Sequence, residues 1–123
     1  MSATERFLSP DVRKVASEVV AVRRDLHVHP EMGFKEKRTS ALIEKSLKGW
    51  GVATKRICGT GIVGLVRGEK PGPTMLIRAD MDGLPVTELN KVSYKSRQAG
   101  TMHACGHDGH VAIALGAAKV LHQ

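Results

Sequence analysis

The chain has 123 residues, 41% of them hydrophobic, which suits one compact domain with a modest core and is too short for an elaborate enzyme. Its formal charge of +7 is spread along the sequence and aromatics make up only 3%, so neither a clustered basic stripe nor a stacking platform for nucleic acid is supported. No apolar run approaches the roughly 20 residues of a membrane span, and no charged start precedes an apolar signal core; a reducing cytoplasm is the expected location.

Ser9-Pro10-Asp11 reads as a helix start, with a capping serine, proline in the first turn and an early acid. Val12, Val15, Ala16, Val19, Val22 and Leu26 then mark one face of a helix ending near His29-Pro30. A second helix is expected over Glu36 to Trp50, with Leu42, Ile43, Leu47 and Trp50 inward and Gly51 as its stop. Val52 to Ile57, Gly61 to Arg67 and Thr74 to Ala79 read as short strands separated by glycine- and proline-rich turns, the first two as a hairpin. Leu89 to Gly100 is polar and unassigned. Helical spacing returns from His110 to Leu121 through Ile113, Ala114, Ala117, Ala118 and Leu121. The order implies an α/β class with helices packed on a mixed β-sheet.

The chemistry concentrates in Met102 to His110, where three imidazoles, a thiol and a carboxylate fall within nine residues. In an extended segment, side chains two apart project to the same side, so Cys105 and His107 are the favoured ligands for one metal ion, with Gly106 giving the backbone room to bend. His103 and His110 are assigned supporting or structural places. A second feature is Arg78-Ala79-Asp80-Met81-Asp82-Gly83, an apolar strand running into two acids of alternate spacing. Open α/β sheets bind ligands at strand carboxyl ends; one acid can reach a metal while the other orients a histidine ligand through its second ring nitrogen. The plainer alternative is that Asp, Gly and Pro build a turn. His27 and His29, at the end of the first helix, read as structural histidines meeting the helix dipole and its free carbonyls, and Cys58 as a small buried residue.

Taken together, Arg23-Arg24-Asp25-Leu26-His27 with His29-Pro30-Glu31, Arg78 to Pro85, and His103 to His110 resemble the N-terminal signatures of metal-dependent N-acyl-amino-acid amidohydrolases. That group includes hippurate hydrolases and indole-acetyl-amino-acid hydrolases, and is related to aminoacylases and to metallo-carboxypeptidases with a cocatalytic metal pair. The resemblance runs from about Val12 to Leu121. It implies a catalytic domain carrying two divalent ions (manganese, zinc, nickel or cobalt), with Cys105 and His107 as the first two ligands and Asp82 as the catalytic-site aspartate that supports a metal-binding imidazole. Asp80 occupies the position where the aminoacylase branch carries that imidazole. It implies amide hydrolysis of N-acyl amino acids by metal-activated water, and homo-oligomeric relatives.

One departure from the pattern is plain. The family draws its general base and another ligand from a Glu-Glu pair soon after the cluster, and none of the seven glutamates here has a glutamate neighbour. Residues 1–123 are therefore expected to be the N-terminal part of a catalytic domain, without the lid or dimerisation domain, binding metal weakly, turning over no substrate alone, and prone to self-association through an open sheet edge. Two other classes are weighed: a non-catalytic metal-binding or interaction module, and a nucleotide-sugar metal clasp built on Asp80-Met81-Asp82. The latter leaves the cysteine and histidine cluster unexplained.

Overall fold

A computed structural model describes residues 7–123. Helix α1 spans Pro10–Val28, α2 spans Lys37–Gly49, strands β1 and β2 span Ala53–Ile57 and Gly61–Leu65, and helix α3 spans His107–Leu121. The capping expectation for α1 holds: Ser9 Oγ accepts from the Val12 N–H at 3.3 Å, with proline in the first turn. Helix α2 lacks a capping side chain of its own. The Glu31 carboxylate substitutes, accepting from the Arg38 and Thr39 N–H groups at 2.9 and 2.8 Å, which places a negative charge at the positive end of the helix. Gly51, at φ +84°, ends it as expected.

Strands β1 and β2 form the expected antiparallel hairpin, with Ala53 opposite Leu65 and Ile57 opposite Gly61. The sheet stops there. Residues 74–79, read as a third strand, make no ladder pairing, since an apolar β-branched run becomes a strand only where a neighbour presents its backbone. Two isolated bridges stand in for a larger sheet, one parallel between Met32 and Gly83 and one antiparallel between Leu84 and Met102.

The core gathers Leu26 of α1, Leu47 of α2, Val52, and Val111 and Leu115 of α3, with Val22, Ile43 and Trp50 packed around it. Each fully buried leucine contributes about 1.5–3 kcal/mol relative to exposure. Helix α3 begins at His107, one turn before the expected His110, because Gly106 at φ +77° lets the chain turn directly into it. Its inward face is accordingly rotated: Val111, Ala112, Leu115 and Gly116 are buried, while Ile113 and Leu121, expected inside, are exposed. Gly116 fixes this orientation, since a Cβ there would lie 2.6 Å from Val19 Cγ2 of α1. Only glycine admits so close a helix contact.

Candidate metal centre

Three backbone devices bring the chemistry-bearing segments together. The Gly83 N–H donates to Glu31 O at 2.7 Å, and Leu84 and Met102 exchange hydrogen bonds at 2.8 and 3.0 Å, so the Asp80-to-Gly83 segment is held against the approach to α3. The turn at Cys105-Gly106 then starts the helix. Residues three apart share a helix face, and His107 and His110 stand with ring centroids 5.4 Å apart.

Within this frame, one donor atom each from Asp80, His107 and His110 lie within 4.8 Å of one another. Asp82 Oδ1 sits 3.0 Å from His107 Nδ1, and the Asp82 carbonyl 3.1 Å from the same nitrogen. A proton on Nδ1 donated to Asp82 leaves the Nε2 lone pair of His107 available as a ligand. Asp80 thus belongs to the donor trio, and Asp82 lies against the His107 imidazole.

Two imidazoles and one carboxylate suit borderline divalent ions such as zinc, cobalt or nickel, and the set admits manganese. Arg78 competes for the site: its guanidinium grips the Asp80 carboxylate through both nitrogens, Nη1 reaching Oδ2 at 3.1 Å, although the arginine side chain is largely exposed and free to swing away.

Cys105 falls elsewhere than the extended-segment argument placed it. The residues before Gly106 form a turn, not a strand, so the alternation that would aim Cys105 and His107 alike does not operate, and the thiol is exposed and outside the donor trio. His110, given a supporting place from sequence, stands inside the trio. Cys58, expected buried, is exposed at φ +49° in the hairpin turn.

Behind the trio lies a buried charged network. His27 of α1 is 3% exposed and spans two carboxylates, with Nδ1 2.6 Å from Asp108 Oδ2 and Nε2 3.1 Å from Glu88 Oε1. Arg23 Nε, one helical turn earlier, sits 2.9 Å from the same Asp108 oxygen. Burial alone would raise Glu88, but the Ser96 N–H, His27 and the Asn90 amide together hold its carboxyl below the usual carboxylate range. The Arg23 and Arg24 guanidiniums lie 5.2 and 4.9 Å from the Tyr94 ring centroid, roofing the network. His103, also 3% exposed, is pushed below the ordinary imidazole range by burial, so its neutral form is favoured.

The histidines of α1 therefore part company. His29 behaves as a helix-end histidine, with Nδ1 2.9 Å from the Asp25 carbonyl, whereas His27 ties α1 to the first turn of α3 through Asp108. Sequence reasoning missed this link and Glu88 with it. The available signal was that Arg23 and His27 lie four apart on the face that carries Leu26, so cations share a stripe with the core. Glu88 stood at the edge of the unassigned polar segment and carried no pattern.

A model of peptidase family M20/M25/M40 matches residues 76–123. Thermostable carboxypeptidase 2 of Saccharolobus solfataricus is 45% identical over 116 residues, 93% of this chain and 30% of that protein. N-acyl-L-amino acid amidohydrolase of Geobacillus stearothermophilus is 42% identical over 113 residues, 91% of this chain and 30% of the relative. Among solved structures, YxeP of Bacillus subtilis, described as a dinuclear metal-binding peptidase of the M20 family, superposes with a TM-score of 0.85 at 37% identity, covering 90% of this chain and 32% of that one. The chain spans about 30% of the length of the curated relatives it matches. Over that shared part, the chain is similar to these proteins in sequence and in fold.

Proposed function

We propose that residues 1–123 form the N-terminal part of the catalytic domain of a metal-dependent hydrolase that cleaves the amide bond of N-acyl amino acids, hippurate-like compounds among them. The observation that carries this reading is the convergence of Asp80, His107 and His110 donor atoms within 4.8 Å, with Asp82 fixing the His107 ring. His107 is common to that trio and to the pair, Cys105 and His107, that the family resemblance assigns to metal. In this reading Asp80, His107 and His110 hold one divalent ion, and the exposed thiol of Cys105, two residues from His107, is a further donor within the same centre. The chemistry available from a bound divalent ion is Lewis-acid polarisation of an amide carbonyl and activation of water.

The chain's own residues bind and orient. Asp82 holds the proton of His107 at Nδ1 and directs Nε2 outward; Arg78, paired to Asp80 and largely exposed, offers a cation to an anionic substrate once Asp80 turns to metal. Two free, exposed cysteines fit a reducing compartment, the cytoplasm. A helix long and apolar enough to cross a membrane is absent among the described residues.

Cobalt(II) titration of the purified chain tests the site. The expected result is a visible absorption spectrum of protein-bound cobalt, lost in His107→Ala and diminished in Asp80→Asn and His110→Ala, with a thiolate charge-transfer band that disappears in Cys105→Ser. Hippurate is expected to survive incubation with the chain alone. Cobalt uptake unchanged by His107→Ala defeats the reading.

A further inference from the structure

The first turn of α3 carries His107 and His110, two of the three donors of the metal centre, and has little of its own to hold it. Gly106 and Gly109 bracket His107 and Asp108, and the helix start has no side-chain cap. A helix end with free N–H groups and two glycines opens readily. Its own backbone contributes two bonds, from the Gly109 and His110 N–H groups to Gly106 O at 2.9 and 3.2 Å. What fastens the turn from outside is Asp108. That side chain is fully buried, and its Oδ2 takes His27 Nδ1 at 2.6 Å and Arg23 Nε at 2.9 Å, both from α1.

The His27 ring is itself fixed. Its Nε2 stands 3.1 Å from Glu88 Oε1, the other Glu88 oxygen accepts from the Ser96 N–H at 2.6 Å, and Tyr94 meets the ring edge-on with centroids 5.8 Å apart. One imidazole therefore joins α1, the 88–96 segment and the start of α3. We propose that His27 is a positioning residue for the metal centre: acting through Asp108, it pins the first turn of α3 so that His107 and His110 present their nitrogens to one divalent ion. This rests on the reading of Asp80, His107 and His110 as that ion's ligands. A metal site tolerates ligand displacements of only about 0.2–0.5 Å. Without His27, Asp108 keeps Arg23, a side chain 35% exposed, and the carboxylate can carry the turn toward water. Both imidazoles move with that turn, while the Asp80-to-Gly83 segment stays held through Gly83 and Leu84. The donors then no longer meet at one point.

Zinc affinity by calorimetry and amide exchange by NMR, on His27→Ala and Gly116→Ala of the full chain under conditions where both are folded by circular dichroism, test this. Both variants disturb the α1–α3 contact, but Gly116 meets Val19 well past the donors. His27→Ala is expected to weaken zinc binding by about tenfold or more, the usual scale for a group that orients a ligand, and Gly116→Ala to leave it near the wild-type value. In the zinc-free chain, the amides of Gly109 and His110 are expected to exchange about tenfold faster in His27→Ala than in Gly116→Ala. Arg23→Gln removes the other tie to Asp108 and is expected to shift both readouts in the same direction and less; it serves where His27→Ala does not fold. Equal zinc affinities or equal first-turn exchange in His27→Ala and Gly116→Ala overturn the positioning role, as does an Arg23→Gln chain that matches wild type in both readouts. Zinc uptake that survives His107→Ala defeats the metal-site reading and this role with it. Uptake that depends on His107 but not on His27 defeats the positioning role alone.

Discussion

Replacing His27 by alanine removes the one group that stands between two buried carboxylates. The side chains of His27, Asp108 and Glu88 are 4%, 0% and 1% exposed, at separations of 2.6 and 3.1 Å. Removing the partner of a buried carboxylate costs about 3–5 kcal/mol, chiefly because the carboxylate charge is stranded away from water. Here both carboxylates keep other partners, Asp108 through Arg23 at 2.9 Å and Glu88 through the Ser96 N–H at 2.6 Å, so the low end, about 3 kcal/mol, is expected. A domain's total stability is about 5–15 kcal/mol, and with a urea slope of about 2 kcal/mol per molar the midpoint should fall by about 1.5 M. Urea denaturation followed by circular dichroism reads this, with His29→Ala as the control, expected to lose under about 1 kcal/mol because its ring is a third exposed and makes one bond to a carbonyl. A His27→Ala loss below about 1 kcal/mol, or one equal to that of His29→Ala, would refute the assignment of His27 as the clamp between α1 and α3.

Asp82→Ala should weaken cobalt or zinc affinity about 10–100-fold, the usual cost of removing the group that orients a ligating imidazole, while shifting the urea midpoint little; isothermal titration calorimetry checks it. Glu88 is held below its ordinary value of 4.5, so its contribution is complete above that value and is lost as pH falls through the lower folded value. The midpoint of the wild-type chain should accordingly decline on acidification from pH 6 toward pH 3, about the range where glutamates titrate, and Glu88→Gln should show a shallower decline; equal slopes would remove the argument. Gly116→Ala should cost about 1–3 kcal/mol despite the better helix propensity of alanine, because its Cβ would meet the stiff Val19 side chain at 2.6 Å. A thermal melt of the variant at or above wild type would show that α1 and α3 can separate without loss.

Much of the fold was legible because it rests on local signals: the Ser9 cap, the apolar stripe through Val15 and Leu26, and the glycine stop at 51 act within a turn or two of chain. The third strand was not, since residues 74–79 have the composition of a strand but pairing is a property of two segments, and no segment among the described residues pairs with them. The start of α3 was misplaced because Gly106 was read as a flexible spacer between two ligands, when its left-handed conformation is the hinge into the helix. That single backbone angle also explains why Cys105 and His107 do not alternate as in a strand, and why His110, three residues on, shares a face with His107. The pairing of Asp82 with His107 was foreseeable, as alternate acids at the end of an apolar segment offer one carboxylate to each task. The tie from His27 to Asp108 spans 81 positions and has no local signature.

The most direct test of the account is the imidazole nitrogen spectrum of the selectively labelled chain, recorded before and after one equivalent of zinc. The account predicts that Nε2 of His107 and a ring nitrogen of His110 shift on zinc addition, that Nδ1 of His107 stays protonated against Asp82, and that His27 is unmoved. Zinc binding that leaves the His107 ring nitrogens unchanged would contradict it.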